Sequence, residues 1–320
     1  MVRTKMVEKY IGAILGLMLL GGALGCAADR AATCGDEGCG PADRAFPSGE
    51  EAPLETRAAA TRIRIMAANL TSGNAQSYTP GEGIRILEGL KPDVAMLQEF
   101  NYGSNSAADL RSFVDTAFGT SFTYFREGGG KQIPNGIVSR YPIRASGTWE
   151  DPQSSNREFA WARLDIPGTP DLWAISVHLL TSSAATRATE ASALVSFINQ
   201  NVPSSDYVAL AGDFNTSSRT EECITKLGAV FVTAGPYPQD ASGNGNTNAN
   251  RNKPYDWVLA NGKLNALGTP VQVGSASFGG GLVFDSRVFT PLAAVSPVQA
   301  GDSAAVNMQH MGVVRDFRLP

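Results

Sequence analysis

The sequence predicts an α/β (α+β) fold over residues 61–320, with strands and helices alternating along the chain. Short, fully apolar runs typical of buried strands recur in this stretch, and segments with apolar residues at helical spacing lie between them. No repeat of 20–50 residues and no linker interrupts it after residue 60. With 320 residues, 43% of them hydrophobic and 18% charged, the composition excludes collagen, coiled coils and wholesale disorder.

The elements follow one another in a regular order. Residues 63–68 predict a strand, and a helix follows over 81–90, where apolar residues recur at helical spacing and Pro92 comes after the end. Residues 94–97 form a continuous apolar run, which indicates a buried strand. Residues 240–252, rich in Asn and Gly, predict a long surface loop. The same criteria predict strands over 122–125, 136–139, 159–166, 173–177, 207–211, 256–260 and 313–317, and helices over 107–118 and 184–199.

The N-terminus is interpreted as a targeting segment, with residues 1–25 a signal peptide. Basic residues within positions 1–9 precede a 14-residue apolar run over 11–24, which is short for a membrane span. The run ends in a stretch that resembles the bacterial lipoprotein processing site, in which Cys26 becomes lipidated, although that family usually has Leu where Ala23 stands. An ordinary signal peptide cut nearby and an uncleaved membrane helix are the alternatives.

Residues 26–60 are predicted to be the lipidated Cys26 and a flexible tether rich in Ala, Gly, Pro and acidic residues. We therefore expect an exported protein, lipid-anchored to the bacterial envelope at the outer membrane or cell surface, or secreted. Cys34 and Cys39 lie within the tether, and in an exported protein they are expected to close a disulfide loop rather than a metal site. Cys223 is then left as a buried thiol.

Charge and histidine content narrow the chemistry. The net charge is +2 over residues 1–25 and −4 over 27–60, which leaves −2 for 61–320, so no basic surface announces a nucleic-acid partner. The sequence has two histidines, His178 and His310. This count excludes a histidine-rich zinc cluster and means that any acid–base chemistry by histidine uses one or both of them.

Polar residues lie where the predicted buried strands begin or end. Ligand sites in α/β proteins lie where strands end and their loops begin, so these side chains can converge. Each alone is more typical of a turn or cap, but together their oxygen atoms suit Mg²⁺ or Mn²⁺, and the two imidazoles suit attack of water on a phosphorus ester. The residues are Asn69, Glu99, His178, Asp213, Asn215, Asp256 and His310.

An ordered set of stretches resembles the endonuclease/exonuclease/phosphatase superfamily, which includes deoxyribonuclease I-like enzymes, apurinic/apyrimidinic endonucleases and bacterial sphingomyelinases. The set spans nearly all of residues 62–320 and follows the family's order. The resemblance implies a four-layer α/β/β/α sandwich with two central mixed β-sheets. The matching stretches are 65–69, 94–99, 135–143, 176–179, 210–215, 255–258 and 310–317, and 156–160 is similar to a deoxyribonuclease I-like segment whose Arg contacts phosphate.

The resemblance implies a Mg²⁺ site, with Mn²⁺ as the alternative ion. Glu99 would be the principal metal ligand, Asp213 a second, and Asn69 would hold metal or phosphate. The chain departs from the family at Gln309, where an Asp usually precedes the final His. A neutral Gln cannot supply the same charge, so a second metal is in doubt, or another acid such as Asp302 takes its place.

The resemblance also implies catalytic roles. His310 would be the general base, oriented by Asp256, since a carboxylate on one imidazole nitrogen raises the basicity of the other. Asp213 and Asn215 would position the attacking water and the phosphoryl group. His178 would donate to a phosphate oxygen or assist the leaving group. Arg157 would clamp phosphate, the alternative being a surface ion pair.

The substrate is less determined than the reaction. A metal-dependent hydrolase of phosphoester bonds, most simply an endonuclease-like phosphodiesterase acting on DNA or RNA as a monomer, is the leading interpretation. A lipid phosphodiesterase comes second, because a membrane anchor would hold the enzyme near phospholipid. Phe278, Phe284 and Phe289 could form an exposed aromatic loop, although core packing explains them equally well. A phosphatase and a non-catalytic binding lipoprotein on the same fold remain alternatives.

Overall fold

A computed structural model describes residues 60–72, 78, 81–168 and 170–320. The predictions for the signal peptide, Cys26, the tether and the Cys34–Cys39 pair lie outside these residues. The helices are α1 Glu82–Leu90, α2 Ala107–Ala117, α3 Ala184–Asn201, α4 Glu222–Leu227 and α5 Gly262–Asn265. The strands are β1 Thr61–Asn69, β2 Val94–Gln98, β3 Thr123–Arg126, β4 Gly136–Ser139, β5 Ile143–Trp149, β6 Phe159–Leu164, β7 Leu172–His178, β8 Tyr207–Asp213, β9 Phe231–Val232, β10 Asp256–Asn261, β11 Gly268–Thr269, β12 Val271–Val273, β13 Ala276–Phe278, β14 Leu282–Val283 and β15 Val313–Leu319.

Two mixed sheets form the centre of the fold. The first has the order β11-β15-β1-β2-β4-β3, with β14 also paired to β15, and the second has the order β5-β6-β7-β8-β10-β9. Each sheet contains one parallel pair, β1 with β2 and β7 with β8, among antiparallel neighbours. The strands β12 and β13 form a separate hairpin. The predicted pair of central mixed sheets is therefore confirmed.

The sheets pack face to face through a core that they share. The second sheet contributes small side chains to this face, among them Ala160, Ala174 and Ala211, so the two backbones can approach closely. A polar tie crosses the same interface, where Gln98 Nε2 donates to Ser176 Oγ at 2.9 Å and that hydroxyl donates to the Leu97 carbonyl oxygen at 2.9 Å.

Helices cover the two outer faces. Apolar side chains of α1 and α2 belong to the shared core on the side of the first sheet, whereas α3 and α4 pack on the outer face of the second sheet in a separate cluster. The result is the expected α/β/β/α sandwich. Cys223 of α4 is fully buried in the second cluster, and burial raises the pKa of its thiol to about 12, so the expected buried thiol is observed.

The structure adds strands that periodicity did not reveal. β5 is an edge strand with a register shift between Ile143 and Ala145, and much of it is exposed, so it has no apolar run. The loop over 240–252 contains no helix or strand, as expected, but Asp240, Thr247 and Asn248 are buried, so it is not a simple surface loop. In the part of the chain that the structure describes, no helix is both long and apolar enough to cross a membrane.

Candidate active site

The sheet topology brings the ends of five strands to one edge of the sandwich. Asn69 ends β1 beside Gln98, and His178 ends β7 beside Asp213, because both pairs of strands are parallel. Strand β10 runs antiparallel to β8, so its first residue, Asp256, also lies beside Asp213. The two sheets meet at this point, where Asn69 Nδ2 donates to Asp213 Oδ2 at 3.0 Å.

Unusual backbone geometry turns several side chains toward this edge. Glu99 and Asn215 have φ angles of 54° and 52°, in the left-handed region, where a side chain is redirected directly after a strand. Gly212 has a φ of 149°, and a Cβ atom there would lie 2.0 Å from the Val177 carbonyl oxygen. Only glycine fits this position, which explains the Gly-Asp pair at the end of β8.

His310 lies between two carboxylates. Its Nδ1 atom is 3.1 Å from Asp256 Oδ2, and its Nε2 atom is 3.6 Å from Asp213 Oδ2. Burial alone would lower the pKa of His310, but Asp256 and Asp213 outweigh burial and raise it to about 9. The predicted His–Asp pair is therefore present in the geometry that fixes one tautomer and orients the ring.

The 240–252 loop holds His310 and Asp256 in place. Thr247 Oγ1 accepts the backbone N–H of Asp256 at 2.8 Å, and the Thr247 carbonyl oxygen accepts the N–H of Met311 at 2.7 Å. Asn248 forms an isolated β-bridge with His310. Sequence reasoning did not single out Thr247, because a Thr in an Asn-rich loop carries no pattern that distinguishes it from a solvated turn residue.

Asp213 is the centre of the hydrogen bonds at the site. Its Oδ1 accepts the backbone N–H of Asn215 at 2.9 Å, and its Oδ2 is 3.3 Å from His178 Nε2. Burial raises the pKa of Asp213 to about 7, because desolvation disfavours the charged form and Asp256 adds a second negative charge nearby. A group with these neighbours can hold or release a proton near neutral pH.

His178 has a different environment from His310. Burial, then the positive charges of Arg157 and His310, lower the pKa of His178 well below its usual value, so the ring is neutral. Within the described residues its Nδ1 atom is buried without a hydrogen-bond partner. The two histidines therefore differ in charge at neutral pH, although both lie at the same edge.

Arg157 is buried behind His178. Only 4% of its surface is exposed, its Nε donates to the His178 carbonyl oxygen, and its Nη1 donates to Asn156 Oδ1 at 3.0 Å. The alternative of a surface ion pair is wrong, since the residue is buried and forms no ion pair among the described residues. Its role as a phosphate clamp stays a prediction.

A buried acid pair that sequence reasoning missed lies beside Arg157. Both carboxyl oxygens of Glu190 accept the Leu180 N–H at 3.1 Å. Burial, reinforced by Asp151, raises the pKa of Glu190 to about 8, and burial raises that of Asp151 as well. The signal was present in α3, because Glu190 shares a helix face with the buried Ala191 and Leu194.

The donor set fits a hard divalent cation. Ligand atoms of Asp213, Asp256 and His310 lie within 4.8 Å of one another, and Asp256 Oδ1 is buried without a hydrogen-bond partner among the described residues. Carboxylate oxygens predominate, as Mg²⁺ and Mn²⁺ prefer. The predicted ligand Glu99 adjoins this group through Asn69, whose Nδ2 lies 3.3 Å from Glu99 Oε1.

The amide of Asn69 and the position of Gln309 refine the predicted metal site. Asn69 Oδ1 accepts the Thr71 N–H at 2.8 Å, so the amide presents its N–H groups to the carboxylates. This arrangement suits the phosphate-binding role more than the metal-ligand role. Gln309 is exposed. The suggested substitute Asp302 does not replace it, because both of its oxygens bond to Arg85, at 2.6 and 3.1 Å.

The fold and the site together define a phosphoester hydrolase built on a two-sheet α/β sandwich. Residues 71–284 match the model of the Endonuclease/Exonuclease/phosphatase family, and the chain belongs to this family. Members of this family are generally phosphoester hydrolases, and they commonly use divalent metals. The superfamily resemblance in the sequence is thereby confirmed. No protein of curated function matches the chain.

Solved structures share the fold at low sequence identity. The chain is similar to an endonuclease/exonuclease/phosphatase from Beutenbergia cavernae DSM 12333, at a TM-score of 0.55 and 17% identity over 81% of this chain and 72% of that one. It is also similar to an endonuclease/exonuclease/phosphatase family protein from Bacteroides thetaiotaomicron, at a TM-score of 0.54 and 12% identity over 82% and 99% of the two chains. These likenesses support the sandwich fold.

Proposed function

We propose that this protein is a divalent-metal-dependent phosphodiesterase of the endonuclease-like kind. The observation that carries the proposal is the placement of His310, whose Nδ1 faces Asp256 at 3.1 Å and whose Nε2 faces Asp213 at 3.6 Å. A histidine oriented by a buried carboxylate can take a proton from water. Phosphoester hydrolysis needs such a base together with groups that stabilise negative charge.

His310 and Asp256 act together as the base. In the neutral form of His310, which a bound cation would favour by offsetting the nearby carboxylates, Asp256 accepts the Nδ1–H and fixes the tautomer, so Nε2 can remove a proton from the attacking water. Asp213, 3.6 Å from Nε2, orients that water together with Asn215. The Thr247 hydroxyl accepts the backbone N–H of Asp256 and so helps to keep the Asp256 carboxylate beside the His310 ring.

Two neutral hydrogen-bond donors and one cation act on the phosphoryl group. His178 is uncharged because burial lowers its pKa, so it donates a single N–H to a phosphate oxygen or to the leaving oxygen. The amide of Asn69 donates from the opposite sheet. Arg157, fixed against the His178 carbonyl oxygen, supplies positive charge from behind the imidazole.

Glu99 and Asp213 would hold a Mg²⁺ or Mn²⁺ ion, with Asp256 adjoining, while Asn69, whose Oδ1 accepts the Thr71 N–H, would bind phosphate. When bound, the ion stabilises charge on the phosphoryl oxygens and offsets the carboxylates that raise the pKa of His310. Gln309 lies in solvent, and Asp302 is held by Arg85, which favours a single metal over two.

A nucleic acid is the favoured substrate, because residues 156–160 resemble a deoxyribonuclease I-like segment whose Arg contacts phosphate. Since the 61–320 segment carries a net charge of −2, binding would depend on local groups and not on bulk charge. The lipid alternative loses part of its support, since Phe284 and Phe289 are buried in the core and do not form an exposed aromatic loop. A substrate panel distinguishes a phosphodiesterase from a phosphatase and from a non-catalytic binding protein.

The test is a substrate panel under one metal condition. Plasmid DNA, RNA, sphingomyelin vesicles and a phosphomonoester are incubated with the protein and Mg²⁺ or Mn²⁺, beside a His310→Ala variant. We expect turnover of DNA or RNA that the variant lacks. Turnover of sphingomyelin alone would make the protein a lipid phosphodiesterase, and turnover of the monoester alone a phosphatase. No turnover of any substrate would leave the binding role.

We also propose that the protein is an exported, monomeric lipoprotein, anchored through Cys26 after removal of residues 1–25. The apolar run over 11–24 and the small residues before Cys26 support this placement. Mass spectrometry of the N-terminus from envelope fractions checks it. A diacylglyceryl group on Cys26, lost in Cys26→Ser, is expected. A free N-terminus at another residue, with the protein in the medium, would contradict it.

A further inference from the structure

A cavity of about 200 Å³ lies where short open edges of the two sheets meet; we call it the edge cavity. β9 pairs with β10 only at Ala260 and Asn261, and the pairing of β11 and β14 with β15 leaves Arg315 uncovered between them. The backbone segments 234–238 and 279–281 line its outer side. The edge cavity is therefore built mainly by strand ends and loops outside the proposed hydrolytic site, with which it shares Asp256.

Arg219 lines the edge cavity, and its guanidinium has a donor without an acceptor. Its guanidinium carbon lies 4.7 Å from the ring centre of Tyr237 and 5.6 Å from that of Trp257, and its Nη2 donates to the Gly245 carbonyl oxygen at 2.6 Å. Its Nε is buried and has no hydrogen-bond partner among the described residues. A buried N–H of a cation without an acceptor is costly, so the site is incomplete as it stands.

Arg315 reaches the same cavity from the other sheet. Its Nη1 donates to the Val258 carbonyl oxygen at 3.3 Å and its Nη2 to Asn265 Oδ1 at 2.9 Å, and both acceptors are neutral. Burial lowers the pKa of Arg315 and that of Arg219. In neither case does a nearby carboxylate of the described chain offset the effect of burial.

Among the described residues, these two arginines lack carboxylate partners, as Arg157 does. Within the described ranges, neither Arg219 nor Arg315 forms an ion pair. Two carboxylates also line the edge cavity, and each already has a partner. Asp316 pairs with Arg64, and Asp256 pairs with His310. Three other arginines with little exposure do pair with carboxylates: Arg64 with Asp316, Arg187 with Glu221, and Arg251 with Asp240 and Asp285.

We propose that the edge cavity is a binding site for a small organic anion with one carboxylate or phosphate group. The anionic group is held by the guanidinium groups of Arg219 and Arg315, whose planar forks match such oxygens. The apolar body of the ligand lies against Trp257 and Tyr237. A volume of 200 Å³ equals that of about seven liquid water molecules, which is room for a single ring with its charged group.

Thermal unfolding of the full chain in EDTA tests the site with benzoate and phenyl phosphate as probes and neutral benzamide as the matched control. We expect both anions, but not benzamide, to raise the Tm of the wild-type protein in a saturable way. In Arg219→Gln and Arg315→Gln the apparent Kd should rise about tenfold or more, because a charged hydrogen-bond partner is removed. The exposed Arg318→Gln should behave as wild type.

Two further measurements locate the bound anion. Glu99→Ala, which alters the proposed hydrolytic site, should bind benzoate as tightly as wild type does, so the anion site and the hydrolase proposal fail independently. A crystal grown with 4-bromobenzoate should show anomalous bromine density in the edge cavity beside Trp257 and Tyr237, whatever the folding of the Arg variants. Absence of stabilisation, equal Kd values in both Arg variants and wild type, or bromine density only beside His310 would overturn the proposal.

Discussion

The imidazole of His310 is the side chain with the most specific environment in the molecule. Two carboxylates, Asp256 and Asp213, face its two nitrogen atoms, and both are buried. Replacing the ring removes the base and takes from Asp256 its hydrogen-bond partner on Nδ1. We expect His310→Ala to lower kcat for a phosphodiester by about 10³-fold, the range typical of a lost general base. Steady-state kinetics with bis(p-nitrophenyl) phosphate measure this.

The matched control for His310 is its neighbour in sequence. Gln309→Ala changes an exposed residue, and we expect it to leave kcat within a factor of about two of wild type, since surface substitutions have small effects. Wild-type rates in His310→Ala would refute the general-base assignment.

Glu99 should determine the metal requirement. It follows β2 in a left-handed conformation and lies 3.3 Å from the Asn69 amide at the edge of the candidate metal site. Removing its carboxylate takes one negative charge from the site, so we expect Glu99→Ala to raise the Mg²⁺ concentration at half-maximal activity about tenfold or more. The exposed Glu150→Ala should not shift it. An unchanged metal titration in Glu99→Ala would exclude Glu99 as a ligand.

The raised pKa of Glu190 predicts how the stability of the fold depends on pH. Its pKa in the folded protein is raised from the ordinary value of 4.5 to about 8, so the folded state keeps a proton that the unfolded state loses. The free energy of unfolding should therefore fall as pH rises from 4.5 to about 8 and level off above that. Glu190→Gln removes this contribution, so its Tm should rise relative to wild type as pH increases. Calorimetry from pH 5 to 8.5 measures the difference.

The control for Glu190 is Glu222→Gln, because that side chain is 62% exposed on α4. Its Tm should follow the wild-type pH profile. Parallel profiles for Glu190→Gln and wild type would show that Glu190 ionises alike in the folded and unfolded states.

Residues at strand ends were predictable from the sequence, and residues that act through the backbone were not. Asn69, Asp213 and Asp256 follow or begin buried runs, so their convergence could be expected. The buried position of Glu190 on α3 was visible in the helix pattern, but its contact with the Leu180 N–H was not, and Thr247 supports Asp256 through one hydrogen bond across nine residues. Such contacts depend on tertiary packing, which local pattern does not encode.

At the scale of elements, β8 is the strand on which the site depends. It pairs with β7 and β10 along its length and ends in Gly212 and Asp213. A methyl group at residue 212 would lie 2.0 Å from the Val177 carbonyl oxygen and 2.9 Å from Gln98 Nε2. We expect Gly212→Ala to destabilise the fold by about 2 kcal/mol or more, as overpacking does, and thus to lower Tm by about 4–8 °C. Calorimetry measures the loss.

Gly262→Ala is the control for Gly212→Ala. This glycine begins α5, and a Cβ atom there meets no atom within 4 Å. Because Ala favours a helix more than Gly does, Tm should stay the same or rise slightly. Equal stabilities of Gly212→Ala and Gly262→Ala would mean that the close approach of Gly212 to β7 is relieved at no cost.

The elements that sequence predicted best are those buried on both faces. β2, β4 and β8 are fully buried, and their apolar runs were visible without any partner strand. β5 is exposed along much of its length, and β9 and β11 have two residues each, too few to show periodicity. Edge strands form because a neighbour offers hydrogen bonds, and that neighbour is distant in sequence.

At the scale of the whole molecule, the sandwich explains why one site draws on both sheets. The two parallel pairs, β1 with β2 and β7 with β8, end at the same edge, and Asn69 contacts Asp213 across the interface between the sheets. The modest charge of residues 61–320 means that a polyanionic substrate is held by a few local groups. Binding should therefore be weak beyond the scissile phosphate, and catalysis should survive on a small diester.

Hydrolysis of bis(p-nitrophenyl) phosphate by the purified full chain tests the central claim most directly. Release of p-nitrophenolate is followed in EDTA, in Mg²⁺ and in Mn²⁺, with wild-type protein and His310→Ala side by side. The account predicts release by the wild type only when a divalent metal is present, and release slower by about 10³-fold in the variant. Wild-type release that is equal in EDTA, or absent under every metal condition, would contradict it.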